Sequence, residues 1–491
     1  MSGLLIAGTT SDAGKSLLTT GLCRAFARRG IRVAPYKAQN MSNNSMVCEG
    51  PDGTAEIGRA QWVQALAARV APEPAMNPVL LKPGTDRRSH VVVMGQPGGS
   101  VDATDFVDGR RHLAEAAWTA YDDLASRFDL IVAEGAGSPT EINLRASDYV
   151  NMGLARHASL PTVVVGDIDR GGVFAALWGT VALLEPADQA LIAGFVLNKF
   201  RGDLSLLSSG VEELDRLTGR RTFGVLPWRP DVWLDSEDAL DLAGRRAGAS
   251  ARIRVAVVRL PRISNFTDVD ALGLEPDVDV VFATSQRELS DADLVVLPGT
   301  RSTIADLDWL RSRGLDVALQ AHVAAGKTLL GICGGFQMLG RTIADPEGVE
   351  GQPGACVEGL GLLDVRTDFA AEKALRLPTG EALGVAASGY EIHHGRITRG
   401  SDEDFLGGAR SGRVFGTMWH GSLEGDELRG ALLGTIVDRE PSGVSFIEAR
   451  ERRMDLLGDL VEEHLDVDAL LTLARDGSPS SLPILEPGAS R

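Results

Sequence analysis

"LLIAGTTSDAGKS" (residues 4–16) carries a continuous apolar run into a glycine-flanked loop and then into a helix pattern that reaches Arg29. Apolar residues without polar alternation mark a strand buried on both faces, the kind found in parallel sheets covered by helices. The loop holds Thr10, Asp12, Ala13 and Gly14 and ends on Lys15 and Ser16. Its chemistry is that of a phosphate cradle. Backbone N–H groups and a helix N-terminus face the anion, Lys15 reaches the outer phosphates, and the Ser16 hydroxyl suits magnesium. Five residues separate Gly8 from Gly14, one more than in the common form of this loop. The alternative, a glycine-rich turn with an incidental Gly-Lys-Ser, fits poorly between a strand and a helix.

Outward from this unit the pattern repeats. "DLIVAEG" (129–135), "PTVVVGD" (161–167) and "LIAGFVLN" (191–198) are further apolar runs separated by helix-length amphipathic stretches, as in a doubly wound parallel sheet. Residues 236–251, "SEDALDLAGRRAGASA", have the composition of a linker. Strand signals restart at "RIRVAVVRL" (252–260), "DLVVLPG" (293–299) and "KTLLGICGG" (327–335). The expected fold class is α/β with two doubly wound domains, over 1–235 and 252–447. Residues 448–475 are expected to form C-terminal helices. The Ser/Pro/Gly-rich stretch 476–491 is expected to be a flexible tail.

Composition narrows the function classes. The chain has 491 residues, a net charge of −18, and 44% hydrophobic and 24% charged residues. Such acidity argues against nonspecific binding to nucleic acid or anionic membranes. No apolar run has the length of a span, and the N-terminus lacks a signal pattern. Cys23, Cys48, Cys333 and Cys356 are scattered, without zinc spacing or a disulfide framework. A reduced, cytoplasmic protein is the expectation.

The spacing of the phosphate loop resembles the dethiobiotin synthetase branch of P-loop proteins. That resemblance implies ATP and Mg2+ as cofactors and activation of a carboxylate. "PYKAQN" (35–40) and "VAEGAGSP" (132–139) match the same branch, with Lys37 and Gln39 after a short strand and Glu134 at a strand end. Strand C-termini are where a doubly wound sheet binds ligands, and a magnesium-binding carboxylate belongs there. Each alone reads equally as a surface lysine or an ordinary strand-end acid. "VGDIDRGGVFA" (166–176) offers Asp167, Asp169 and Arg170, either to assist magnesium and orient substrate or to cap the next helix. In "LNKFRGD" (197–203), Asn198 and Lys199 are candidates for the nucleotide base, or members of a polar loop. Gln39, Asn40, Asn44 and Arg170 are candidate substrate contacts.

"GICGGFQMLG" (331–340) has the form strand, tight turn, helix, with a cysteine at the turn. A strained elbow exposes a nucleophile, and the helix N-terminus favours its thiolate. "VVLPGTRST" (295–303) supplies Gly299 and Thr300 as a candidate oxyanion hole. His420 in "GTMWHGSLEGD" (416–426) is the favoured base, and His393 and His394 are its competitors. Cys23 and Cys356 fit structural roles, and Cys48 stays undecided.

This cysteine stretch looks like the nucleophile motif of class I glutamine amidotransferases. Placed after an ATPase of the dethiobiotin synthetase type, it resembles the glutamine-dependent corrinoid amidases of cobalamin biosynthesis. Within that group the cobyric acid synthase branch is the nearest likeness. It rests on "GTTSDAGKS", "YKAQNMSNNS", "EINLRASDYVNMG", "DIDRGGVFA", "LNKFRGD", "LPGTRST", "GYEIHHGR" and "MWHGSLEGD", in that order over about residues 1–450. The resemblance implies Cys333 as nucleophile, His420 as its base, L-glutamine as nitrogen donor and a corrinoid acceptor, adenosylcobyrinic acid a,c-diamide, amidated at positions b, d, e and g. One departure stands out: class I enzymes carry Glu two residues after the His, and here that residue is Ser422. Glu424 has the wrong spacing, so the group that orients His420 is not legible. Two rivals remain. Cobyrinic acid a,c-diamide synthase shares the domain order but carries acids where this chain has "AQNMSNNS". A nucleotide-dependent scaffold would have no need of Cys333 and His420.

Overall fold

The computed structural model describes residues 2–51, 53–83, 88–102, 111–229 and 252–486; the expected linker, 236–251, lies outside the described residues. The strand Gly3–Gly8 sits inside a six-stranded sheet whose order is Arg221–Pro227, Ile192–Phe200, Thr162–Asp167, Gly3–Gly8, Leu130–Glu134, Val33–Tyr36. Every pairing in it is parallel. Alternate residues feed opposite faces: Leu4 and Ile6 enter one core cluster, Leu5 and Ala7 another. Leu130 and Val132 divide in the same way from Ile131 and Ala133. Period-2 alternation between two apolar layers is why these strands read as unbroken hydrophobic runs.

A second six-stranded sheet runs Val278–Ala283, Ile253–Val258, Leu294–Leu297, Thr328–Ile332, Val414–Thr417, Ala409–Ser411, with the last strand antiparallel. Its helices share one core cluster with it, from Ile253 to Leu433. Both sheets place their strand C-termini, and therefore their loops, toward ligand-binding edges.

Two largely antiparallel additions, unforeseen in the sequence, bring the halves together. One comprises the hairpin Ser45–Gly50/Gly53–Gly58 and a sheet of Gln39–Met41, Val79–Pro83, Arg88–Val93 and Gln96–Asp102. The other is a sheet of Thr342–Asp345, Ala355–Glu358, Val365–Arg376 and Glu391–Arg399. Thr54 Oγ1 donates to Leu375 O at 2.7 Å, and Tyr390 and Ile392 of the second half pack in the first half's core.

The chain then returns to its first half. The helix Phe446–His464 lies on the helix Lys15–Arg28. Close approach requires Gly21, where a Cβ would stand 2.5 Å from Val461 Cγ2 and 2.8 Å from Leu457 O. Buried Arg24 bonds Glu451 at 2.7 Å and Asp455 at 2.8 Å. The helix Val467–Asp476 adds Leu470 to the same core. The expected flexible tail is corrected over its first part. Pro483 O accepts from Arg220, at 2.6 Å, and Leu485 exchanges two hydrogen bonds with Gln189. A buried guanidinium needs acceptors, and the tail's carbonyl helps satisfy Arg220. Among the described residues, no helix is long and apolar enough to cross a membrane.

Candidate active sites

Cys333 ends the strand Thr328–Ile332 and begins the helix Gly334–Leu339 with φ 50° and ψ −110°. A non-glycine residue there stores about 1–3 kcal/mol of strain, which neighbouring packing must hold. That packing demands glycine on the helix side. A Cβ on Gly335 would lie 1.9 Å from Leu297 O, and one on Gly334 would lie 2.7 Å from Thr300 Cγ2. Thr300 uses its hydroxyl on Arg262 O and Asp306, while its backbone N sits 3.1 Å from the position of a Gly334 Cβ. Of the oxyanion candidates, Thr300 thus meets the cysteine turn through its backbone, while a Cβ on Gly299 would lie 2.8 Å from His420 Cε1.

His420 is 1% exposed and lines the same cavity as Cys333. Its Nδ1 lies 2.7 Å from Asp268 Oδ2, and Gly421 N donates to Asp268 Oδ1 at 2.8 Å. Asp268 is the orienting group that the sequence did not reveal. It lies 152 residues upstream on the short turn Phe266–Val269, so no local spacing pointed to it. Burial pulls the imidazole's pKa down, but Asp268 and Cys333 outweigh it and push His420 up to about 10. The ring of Tyr390 stacks on it, centroids 5.4 Å apart. Glu424 faces elsewhere, binding Arg59 of the first half at 3.0 Å and Arg450 at 2.9 Å. Of the competing histidines, His393 Nδ1 is 2.8 Å from Gly395 O and His394 Nδ1 is 3.1 Å from Ala370 O. Both line the cavity with their rings tied to backbone.

In the first half, four expected residues converge. Ser16 Oγ donates to Glu134 Oε1 at 2.9 Å, Lys37 Nζ to the same oxygen at 3.0 Å, and Lys15 Nζ reaches Gly137 O beyond the strand end at 3.2 Å. Gln64, not singled out in the sequence, donates to Glu134 Oε2 at 2.6 Å. Burial raises the Glu134 carboxyl's pKa, but Lys37 and Gln64 outweigh it and hold it below the usual range. A hydroxyl and a buried carboxylate at a strand end are the hard oxygen donors that Mg2+ takes, so Ser16 and Glu134 fit that ion.

Asp167 belongs to a separate ionic group at the loop's other lip. Lys199 Nζ binds it at 2.8 Å, Arg170 approaches it at 3.6 Å, and Arg170 also binds Asp12 at 2.8 Å. Asn198 bonds to the phosphate loop. Its amide donates to Ala13 O at 2.9 Å, and a Cβ on Gly14 (φ 100°) would sit 1.9 Å from its Nδ2. It props the loop from beneath. Thr10 contributes its carbonyl to Lys15. Gln39 accepts from Tyr149 at 2.5 Å beside a surface cleft. Asn40 and Asn44, expected to touch substrate, are 2% and 3% exposed and lie inside. The undecided Cys48 is a core residue, its thiol pushed up to about 12 by burial and by Glu73.

Comparisons with known proteins agree with this division. Residues 4–241 match the model of the CobQ/CobB/MinD/ParA nucleotide binding domain, and residues 254–428 that of the CobB/CobQ-like glutamine amidotransferase domain. The chain is 73% identical over 491 residues to a cobyric acid synthase of Mycolicibacterium gilvum (strain PYR-GCK), covering all of both chains. It is 73% identical over 493 residues to that of Mycobacterium tuberculosis (strain ATCC 25618 / H37Rv) and 72% over 491 residues to that of Mycobacterium ulcerans (strain Agy99), again over full length. The chain belongs to the cobyric acid synthase family.

Proposed function

We propose that this chain catalyses the ATP- and glutamine-dependent amidation of side chains b, d, e and g of adenosylcobyrinic acid a,c-diamide, giving adenosylcobyric acid in cobalamin biosynthesis. The observation that carries this reading is the presence, in one chain of this family, of a Cys333–His420–Asp268 constellation and a phosphate loop backed by Glu134.

The glutaminase half begins when the Cys333 thiol passes its proton to His420 and the sulfur attacks the carboxamide carbon of glutamine. Backbone N–H groups at the turn and at Thr300 receive the oxyanion. The His420 imidazolium protonates the departing nitrogen, which leaves as ammonia, and a thioester remains. Neutral His420 then takes a proton from water, whose oxygen attacks the thioester and releases glutamate and the thiol. Asp268 holds the imidazole's orientation and stabilises its charged form. Arg301 lines the same cavity and offers its charge to an amino acid's carboxylate.

In the synthetase half the acceptor carboxylate attacks the γ-phosphorus of ATP, forming an acyl phosphate and ADP. Lys15 and Lys37 steady the transferring phosphoryl group by charge and position. Ser16 and Glu134 would hold Mg2+, which would neutralise phosphate charge. Ammonia then attacks the acyl carbon; phosphate leaves with the C–O bond and a proton is released, giving the carboxamide. The test is amidation of the a,c-diamide with glutamine and with ammonium chloride as alternative donors. Product formation with both, each requiring ATP, supports the reading; amidation of cobyrinic acid at a and c instead would replace it with the rival diamide synthase.

A further inference from the structure

The helix Thr303–Ser312 follows directly on the turn that carries Thr300. The first N–H groups of a helix need acceptors from outside it. Ser302, at the usual capping position, makes no side-chain cap bond. The cap comes from 47 residues downstream. Glu350 Oε2 accepts from Thr303 N at 2.6 Å, and Glu350 Oε1 accepts from Thr303 Oγ1 at 3.0 Å.

Glu350 lies between the strands Thr342–Asp345 and Ala355–Glu358, in a loop folded around one carboxylate. Fully buried Asp345 accepts from Val349 N at 2.7 Å, Glu350 N at 3.0 Å and Gly351 N at 2.9 Å. Its own carbonyl accepts from Gly354 N at 2.8 Å. The loop is therefore held at its base, and it carries Glu350 to the start of the helix.

The same contact reaches the cysteine turn. Thr303 Oγ1 also lies 3.3 Å from Gln337 Oε1, on the helix that Cys333 begins. A Cβ on Gly334 would meet Thr300 N at 3.1 Å and Thr303 Oγ1 at 3.2 Å. Thr303 thus touches Glu350 on one side and the nucleophile's turn on the other. Glu350, Thr300, Thr303, Gln337 and Cys333 line one cavity. Burial raises the pKa of the Glu350 carboxyl, against the charge of Arg301 and the bonds from Thr303. Burying that acid costs free energy, and a neutral serine or threonine cap would serve the helix without it. An oxyanion hole, by contrast, acts only when its donors stay where charge develops. Without its cap the start of the helix can shift, and the Thr300 N–H shifts with it.

We propose that Glu350 is a positioning residue for the glutaminase: its carboxylate fixes the Thr300 turn against the Cys333 turn, so that the backbone donors of both meet the oxyanion. It acts through Thr303 and not on glutamine itself. This rests on the amidation reading above. The test compares Glu350→Ala and Glu350→Gln in the full-length enzyme, with the a,c-diamide and ATP present. Three quantities are measured: kcat and KM for glutamine hydrolysis, and amidation driven by ammonium chloride. Removing an oxyanion donor outright costs about 10²–10³ in kcat, and displacing one costs less. Glu350→Ala is expected to lower kcat by about tenfold to a hundredfold, with KM within about threefold and ammonia-driven amidation within about twofold of wild type. Glu350→Gln keeps the side chain's length and one oxygen for Thr303 N, so its kcat is expected to fall between those of Glu350→Ala and wild type. Three results would overturn the assignment. One is a kcat within about threefold of wild type in Glu350→Ala, or no higher in Glu350→Gln than in Glu350→Ala. Another is a KM raised about tenfold with kcat unchanged, which would put Glu350 on glutamine directly. The third is a matching loss of ammonia-driven amidation, which would make the residue's role a general structural one. A wild-type enzyme that releases no glutamate and forms no amide with either donor would instead overturn the amidation reading.

Discussion

Asp268→Asn removes one charge from a pair whose side chains are 3% and 1% exposed. The carboxylate serves two donors at once, the His420 Nδ1–H and the Gly421 N–H. A carboxamide has one oxygen, so one of those donors must face an NH2 group. The imidazole then loses its orientation or its loop loses its anchor. It also loses the leading contribution that lifts its pKa to about 10 against burial. Breaking a buried pair costs about 3–5 kcal/mol, and a misplaced general acid–base loses about 10²–10⁴ in rate. The expectation is a glutaminase kcat reduced by about 10²–10⁴ with KM nearly unchanged. The pH–rate profile should shift as well, and Asp268→Glu should recover part of the rate. Amidation driven by ammonium chloride, which bypasses the cysteine, should stay within about twofold of wild type. The assay is glutamate release across pH, run beside ammonia-driven amidation on the same preparation. Glutaminase within about threefold of wild type would refute Asp268 as the positioning residue.

Three further outcomes follow from the geometry. Cys333→Ala should abolish glutamine-dependent amidation and keep ammonia-dependent amidation, whereas Glu134→Gln should lose both; product analysis with each donor separates the two. Gly21→Ala should destabilise the protein by about 1–2 kcal/mol, since overpacking against Val461 and Leu457 exceeds the gain in helix propensity; denaturant titration measures it. Because the pKa of His420 is raised above 6.5 on folding, its contribution to stability is complete below pH 6.5 and disappears as pH climbs through about 10. Melting temperatures over that window should fall more steeply in wild type than in His420→Gln.

The buried parallel strands were legible because most are short apolar runs, and those at Gly3–Gly8, Leu130–Glu134 and Thr162–Asp167 end in a glycine or an acid. The strand "LLIAG" and the helix from Lys15 were placed to within about a residue. The strained turn at Cys333 announced itself through Gly331, Gly334 and Gly335, which leave no room for a Cβ. What escaped was long-range. Asp268 lies in "SNFTDVD", with neither a strand end nor a glycine turn to mark it, and becomes functional only when the fold brings it 2.7 Å from His420. The antiparallel additions escaped for another reason. Many of their strands, such as Val365–Arg376, mix polar with apolar residues, so no continuous apolar run marks them. The tail looked flexible from composition alone, while its hydrogen bonds go to Arg220 and Gln189, far away in the chain.

The central claim is that one chain releases nitrogen from glutamine and fixes it on a carboxylate of a corrinoid. Its most direct test supplies the purified full-length protein with ATP, magnesium, adenosylcobyrinic acid a,c-diamide and glutamine labelled with 15N at the amide. The corrinoid product is then read by mass spectrometry. The account predicts stepwise appearance of 15N carboxamides at b, d, e and g, dependent on ATP and lost in Cys333→Ala. Unaltered a,c-diamide alongside active glutamine hydrolysis and ATP turnover would contradict it.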